Sequence, residues 1–136
     1  MEKSVSGIEV PWNEEAASML AGSTGNEPTY SISDLRREVE IGKAQLFMWS
    51  YGGEKLGYCV LWIDPFGDHL EMVIQAGAAF KSNARAFRLV MPIIEAKAIE
   101  HGCYGIRSHL VDGKWASQFR SAKYYKSETI MRKRLR

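Results

Sequence analysis

Residues 69–110 read HLEMVIQAGAAFKSNARAFRLVMPIIEAKAIEHGCYGIRSHL, and their hydrophobic period changes twice. The run from His69 to Ala76 is almost continuously apolar, which indicates a strand that is buried on both faces. Apolar residues then recur at helical spacing: Phe87, Val90, Met91, Ile94 and Ala98. A strand pattern returns over Tyr104–Leu110. Because a helical crossover joins the two strands, we expect them to run parallel.

The helix of this strand–helix–strand unit has recognisable ends. Ser82 and Asn83 are good N-terminal caps, so the helix is expected to begin at one of them. His101-Gly102 is typical of a C-terminal cap. Pro92 lies inside the helix and lacks a backbone donor, which predicts a kink there or a later start.

The segment before this unit predicts an antiparallel meander. Ala44–Tyr51 and Lys55–Ile63 are rich in aromatic and large apolar residues, as strands are. Gly52-Gly53 between them supplies the two positive φ angles of a type I′ hairpin turn. Asp64–Asp68 is expected to form a second turn, which leads into the strand that begins at His69.

The two ends of the chain are less regular. Residues 1–30 predict an irregular segment with a short helix over Asn13–Leu20 and a loop over Gly22–Pro28. Ser31–Asp34 has the form of a capping box, so a short helix should follow and end near Gly42.

Beyond the parallel strand, Lys114–Ala122 predicts a short helix and Glu128–Leu135 a terminal strand. The prediction is one domain over residues 1–136 with a mixed α/β architecture: an antiparallel meander, a β-α-β unit with a central splay, a short helix and a final strand.

Composition excludes several classes of protein. The chain has 136 residues, of which 46% are hydrophobic and 25% charged, as in ordinary globular domains. The longest stretch without a charge, Ala16–Asn26, has 11 residues and is too short for a bilayer span. No apolar segment follows the N-terminus as in a signal peptide. These features predict a cytoplasmic protein without a membrane partner.

Metal binding is not expected. Cys59 and Cys103 lie 44 residues apart in apolar surroundings, and the three histidines are scattered. We therefore predict two buried, reduced thiols and no metal site.

The C-terminal segment is basic. Six Lys and Arg residues stand against Glu128 alone between Lys123 and Arg136, a net charge of +5. Such a segment could bind nucleic acid, or it could protect an exposed strand edge against aggregation.

The order of elements and several local sequences resemble the GNAT (GCN5-related) N-acetyltransferase superfamily, in particular its short phage and prophage members. The resemblance begins near Ser33 and runs to the C-terminus. It is carried by Asp34–Glu40, Leu70–Gly77, Glu95–Arg107 and Trp115–Tyr125. It implies a GNAT-like fold and acyl-CoA-dependent transfer of an acetyl group to an amine.

The resemblance implies a loop that cradles the pyrophosphate of acetyl-CoA through backbone N–H groups and a helix N-terminus. The matching positions are Lys81–Ala86, where alanines replace the loop's glycines. This assigns cofactor binding to Lys81, Ser82, Asn83 and Ala84. In an alternative, Gly77–Ala79 makes the close approach from a longer loop.

The resemblance also implies catalytic groups. Backbone N–H groups near Val73 and Ile74 would stabilise charge on the acetyl carbonyl oxygen. Glu71 is the candidate base for the substrate ammonium, unless it points outward from the strand. The family's usual acid is a tyrosine where this chain has Arg120; Tyr124 is the substitute candidate, or else a packed aromatic residue.

Two functions follow from the resemblance. The first is an N-acetyltransferase that uses acetyl-CoA as co-substrate and acts on an unidentified amine. The alternative is a catalytically inactive phage protein of the same fold, which serves in a virion or in assembly and binds phage or host proteins. In that case the location would be the host cytoplasm or the virion. The sequence leaves a homo-oligomer open.

Overall fold

The structure is a computed structural model that describes residues 3–21, 31–108, 116–125 and 133. Of Phe66, Ala116 and Ser117 it describes the backbone only. The elements in chain order are β1 (Val5–Val10), α1 (Glu14–Leu20), α2 (Ile32–Glu40), β2 (Gln45–Tyr51), β3 (Glu54–Phe66), β4 (His69–Ala79), α3 (Asn83–Glu100), β5 (Gly105–Ser108) and α4 (Ala116–Ser121).

The strands form one mixed sheet in the order β1-β2-β3-β4-β5. Neighbours from β1 to β4 are antiparallel, and β5 is parallel to β4 across the α3 crossover. The predicted meander and β-α-β unit are therefore confirmed. Gly52 and Gly53 have φ angles of 57° and 87°, as the hairpin turn requires.

The predicted helix caps are confirmed as well. Ser31 and Asp34 form a reciprocal capping box at the start of α2. The α3 helix begins after the Ser82 cap, so it has no later start, and it continues through Pro92 to Glu100. Gly102 follows in a left-handed conformation with φ of 76°.

Three boundaries differ from the sequence-based predictions. The second turn is only Gly67-Asp68, because Asp64–Phe66 continue β3 and pair with His69–Glu71. The β4 strand extends beyond Ala76 to Ala79, and the added residues 77–79 pair with β3. The N-terminal segment contains β1, which hydropathy did not reveal because its four central residues are exposed.

Other predictions fall outside the described residues. They are the loop over Gly22–Pro28, the terminal strand over Glu128–Leu135 and the basic segment beyond Lys123 apart from Lys133. Within the described part of the chain, no helix is both long and apolar enough to cross a membrane.

Two apolar clusters cover the two faces of the sheet. The first packs α3 and Phe119 against residues that include Trp49, Leu61 and Met72. The second packs α1 and α2 against Leu46, Val60 and neighbouring residues. We call these faces the α3 face and the α1/α2 face.

The cysteines are only partly as predicted. Cys59 is a free, buried thiol on the α3 face, and burial raises its pKa to about 12. Cys103 is free but only half-buried, because it follows the C-terminal end of α3. The structure thus corrects its predicted burial.

Candidate active site

A β-bulge interrupts β4 in the middle of the sheet. Leu61 pairs with Ile74 and Val60 pairs with Ala76, so Gln75 has no partner on β3. In a regular strand, residues two positions apart face the same side of the sheet. The extra residue reverses this alternation, because Ile74 packs on the α3 face whereas Ala76 packs on the α1/α2 face. Bulges of this kind re-aim side chains and backbone groups within a sheet, often beside active sites.

Val73 and Ile74, whose backbone N–H groups are predicted to stabilise charge on the acetyl carbonyl oxygen, lie directly before the bulge. Val73 is fully buried and Ile74 is 8% exposed. Both are paired with β3 on one side and with Arg107 or Ser108 of β5 on the other. They are held in the centre of the sheet, and the role of their N–H groups stays a prediction.

The segment between β4 and α3 is short. Gly77, Ala78 and Ala79 belong to β4 and pair with residues 57–59 of β3. They therefore do not form the longer loop of the alternative cradle, and only Phe80, Lys81 and Ser82 connect the strand to the helix.

The N-terminus of α3 has several features of an anion site. Ser82 Oγ accepts a hydrogen bond from the Arg85 backbone N–H at 3.1 Å. The Lys81 side chain is 81% exposed. Ala84 is exposed and Ala86 is buried in the core, so neither methyl group lies within the three-residue loop. The positive end of the helix dipole favours an anion here.

Glu54 lies beside this helix start and was not identified from the sequence. Its carboxylate accepts hydrogen bonds from both terminal nitrogens of Arg85, at 3.0 and 3.4 Å. Lys81 Nζ is 3.8 Å from the same carboxylate. Hydrogen bonding to Arg85, together with its charge, lowers the pKa of Glu54. Only the fold brings this hairpin residue to the helix.

The candidate base Glu71 is part of a three-residue ion network. Arg107 Nη1 lies 2.7 Å from Glu71 Oε1, and Arg107 Nη2 lies 2.8 Å from Asp64 Oδ2. The pKa of Arg107 is raised, chiefly by its hydrogen bond to Asp64. Asp64, Glu71 and Arg107 are each next in sequence to a residue of the apolar cluster on the α3 face. Because side chains alternate along a strand, all three point to the α1/α2 face.

The candidate acid Tyr124 lies on the other side of the sheet. Its ring packs edge-on against Phe119 in the α3-face cluster, with centroids 5.1 Å apart. Its hydroxyl donates to Glu95 Oε2 at 2.9 Å. Burial raises the pKa of Tyr124, and the bond to Glu95 raises it further. The structure therefore does not bring Tyr124 and Glu71 together.

The bulge residue has an aromatic partner on the α1/α2 face. Trp62 Nε1 donates to Gln75 Oε1 at 3.0 Å. No sequence pattern predicts this pair, because a bulge depends on the pairing of two strands. Across the described residues, no group of three or more His, Cys, Asp and Glu side chains is arranged to hold a metal ion.

Comparison with known proteins identifies the fold. No family model matches the chain, and no curated protein matches it in sequence. Among solved structures, a probable acetyltransferase is similar with a TM-score of 0.64 and 14% identity, covering 97% of this chain and 96% of that one. A Trypanosoma brucei acetyltransferase has a TM-score of 0.63 at 14% identity and covers 97% and 100%.

An aminoglycoside N-acetyltransferase solved in complex with CoA is also similar, with a TM-score of 0.60 and 13% identity over 99% and 95% of the two chains. These identities are too low to carry substrates or site residues across, but the agreement covers whole chains. The protein therefore has the fold of the GNAT acetyltransferases.

Proposed function

We propose that the protein is an acyl-CoA-dependent N-acetyltransferase that transfers an acetyl group to an amine. One observation carries the proposal: a central strand is bulged at Gln75 and leads through three residues to the N-terminus of an 18-residue helix. This arrangement places backbone groups redirected by the bulge close in sequence to a helix N-terminus that can bind an anion. The similar solved structures reported above are of two acetyltransferases and a probable acetyltransferase, which supports the proposal.

The residues at the helix start fit the phosphates of acetyl-CoA. Lys81 supplies an exposed cation, and the backbone N–H groups of Asn83 and Ala84 belong to the unpaired first turn of α3. Ala84 is exposed, so a methyl group in place of a glycine hydrogen leaves its N–H in position.

Acetyl-CoA supplies an activated thioester, and groups of the chain orient it and accept a proton from the amine. Backbone N–H groups near Val73 and Ile74 orient the acetyl carbonyl. Glu71 holds the acceptor ammonium and takes its proton from the α1/α2 face. Tyr124 is bonded to Glu95 across the sheet. We therefore assign protonation of the leaving thiolate to water.

Calorimetric titration with acetyl-CoA tests the proposal. Wild-type protein should bind in the micromolar range, and Lys81→Glu should weaken binding about 10-fold or more because it reverses a charge at the phosphates. Arg36→Glu is the matched control: it reverses an exposed charge on α2 and should leave binding unchanged.

Absence of heat at millimolar acetyl-CoA, or equal binding by Lys81→Glu, would contradict the proposal. The comparisons do not favour the alternative of an inactive virion or assembly protein. Nucleic-acid binding and self-association also stay predictions.

A further inference from the structure

An ammonium group of the chain lies against the aromatic residue beside the bulge. Lys43 Nζ is 5.1 Å from the centre of the Trp62 ring, within cation–π range. Lys43 is exposed and Trp62 is half-buried. Trp62 in turn contacts Gln75, the bulge residue. The Trp62 ring, next to the bulge, is thus already in contact range of an unbranched alkylammonium that belongs to the chain itself.

The charged groups next to Trp62 favour a cation as well. Asp64 lies two residues further along β3 on the same face, and Arg107 bridges it to Glu71. The three side chains are only 20–25% exposed. Among the described residues, the two carboxylates and one guanidinium of this network carry a net charge of −1 in a partly desolvated position, where it attracts cations more strongly than on an open surface.

The same network disfavours an acceptor that carries a carboxylate. Each terminal nitrogen of Arg107 already donates to a carboxylate, one on Glu71 and the other on Asp64. An added anion would compete with these two carboxylates for Arg107 and would be repelled by both of them. The cation that lies over the Trp62 ring is the ammonium of Lys43.

We propose that the acceptor is a linear alkylamine with two ammonium groups and no carboxylate, one of which replaces the Lys43 ammonium on Trp62. The inference rests on the proposed function. In the transfer, the free amine nitrogen forms a bond to the acetyl carbon and the carbon–sulfur bond breaks. One proton of the original ammonium goes to Glu71 before the attack, and a second leaves the nitrogen as the amide forms and passes through water to the CoA thiolate.

Calorimetric titration in the absence of acetyl-CoA tests the proposal with a matched pair of probes. The probes are 1,5-diaminopentane and 5-aminopentanoate, which have the same chain length and differ in the charge of one end. We expect the diamine to bind about 10-fold more tightly than the zwitterion, because an opposed charge in a partly desolvated site costs about 1.4 kcal/mol or more.

Two variants assign the binding to Trp62. Trp62→Leu should weaken diamine binding about 5-fold or more. Lys43→Gln should strengthen it about 2- to 5-fold, because it removes the internal competitor. Lys43 is exposed, so this variant keeps the native fold, and circular dichroism checks both variants.

Equal binding of the two probes, or weaker diamine binding by Lys43→Gln, overturns the inference. Acetyl-CoA titration of the same samples separates the two proposals. If acetyl-CoA binds and the diamine does not, the acceptor inference fails and the proposed function stands. If the diamine binds with the expected variant effects and acetyl-CoA does not, the surface is confirmed and the proposed function fails.

Discussion

The two faces of the sheet differ in how completely helices cover them. On the α3 face, an 18-residue helix contributes five buried residues to one cluster with the strands. On the α1/α2 face, two short helices contribute Ala16, Leu20 and Leu35 over one part of the sheet. The rest of that face carries the polar groups around Trp62 and Glu71. Among the described residues, the half-buried network of Asp64, Arg107 and Glu71 therefore lies on the face with less helical cover, which is the face that we assign to the acceptor.

The largest effect is expected in the core of the α3 face. Ile94→Ala should lower the free energy of unfolding by about 2–5 kcal/mol, because Ile94 is 2% exposed and a cavity would replace it. Its neighbour Ile93 is 41% exposed, and Ile93→Ala is the control. Chemical denaturation of both variants measures the difference. Similar losses for the two would show that α3 does not carry the core as described.

A smaller effect is expected from the ion network on the opposite face. Arg107→Met leaves the carboxylates of Asp64 and Glu71 without their shared cation in a partly buried position. We expect a loss of about 1–3 kcal/mol. Adding Glu71→Gln to Arg107→Met should recover part of it, because one of the two opposed charges is then removed. Denaturation of the single and double variants decides; additive losses would mean that the network is not energetically coupled.

The smallest effect is expected in the pH dependence of stability, from the Tyr58 hydroxyl on the α1/α2 face. Tyr58 is buried there and its hydroxyl donates to Glu15 Oε1 at 2.6 Å. Burial, followed by the bond to Glu15, raises the pKa of Tyr58 to about 12. Since the pKa in the unfolded chain is about 10, its contribution to stability is complete below pH ~10 and is lost as pH rises through ~12.

Tyr58→Phe should therefore make the free energy of unfolding less dependent on pH over this alkaline window. Denaturation at several pH values between about 9 and 12 measures the slope. Tyr104→Phe is the control, since Tyr104 is 78% exposed. An unchanged slope in Tyr58→Phe would mean that the Tyr58 hydroxyl does not titrate with folding.

Elements with strong local signals were predictable from the sequence. The capping box at Ser31, the hairpin at Gly52-Gly53 and the periodic α3 helix each depend on neighbouring residues. The β1 strand gave no such signal: it has Gly7 at its centre, where the Trp49 ring takes the place of a side chain. Its conformation depends on a residue 42 positions away.

The candidate site was predictable only in part. Lys81, Ser82 and Asn83 were placed at the helix start because capping is local. The partners of Glu71 could not be predicted in this way. Asp64 and Arg107 belong to two other strands, and the register of those strands brings them next to Glu71. The separation of Tyr124 from Glu71 is likewise a matter of which face each side chain occupies.

The sequence by itself determined the order of elements after β1, the central hairpin, the caps and the crossover helix, because these follow from backbone preferences and hydrophobic period over a few residues. Only the tertiary structure decided the bulge at Gln75, the Glu54–Arg85 pair and the surface around Trp62. Each of them depends on the alignment of strands distant in sequence, where a shift of one residue reverses the face of every side chain.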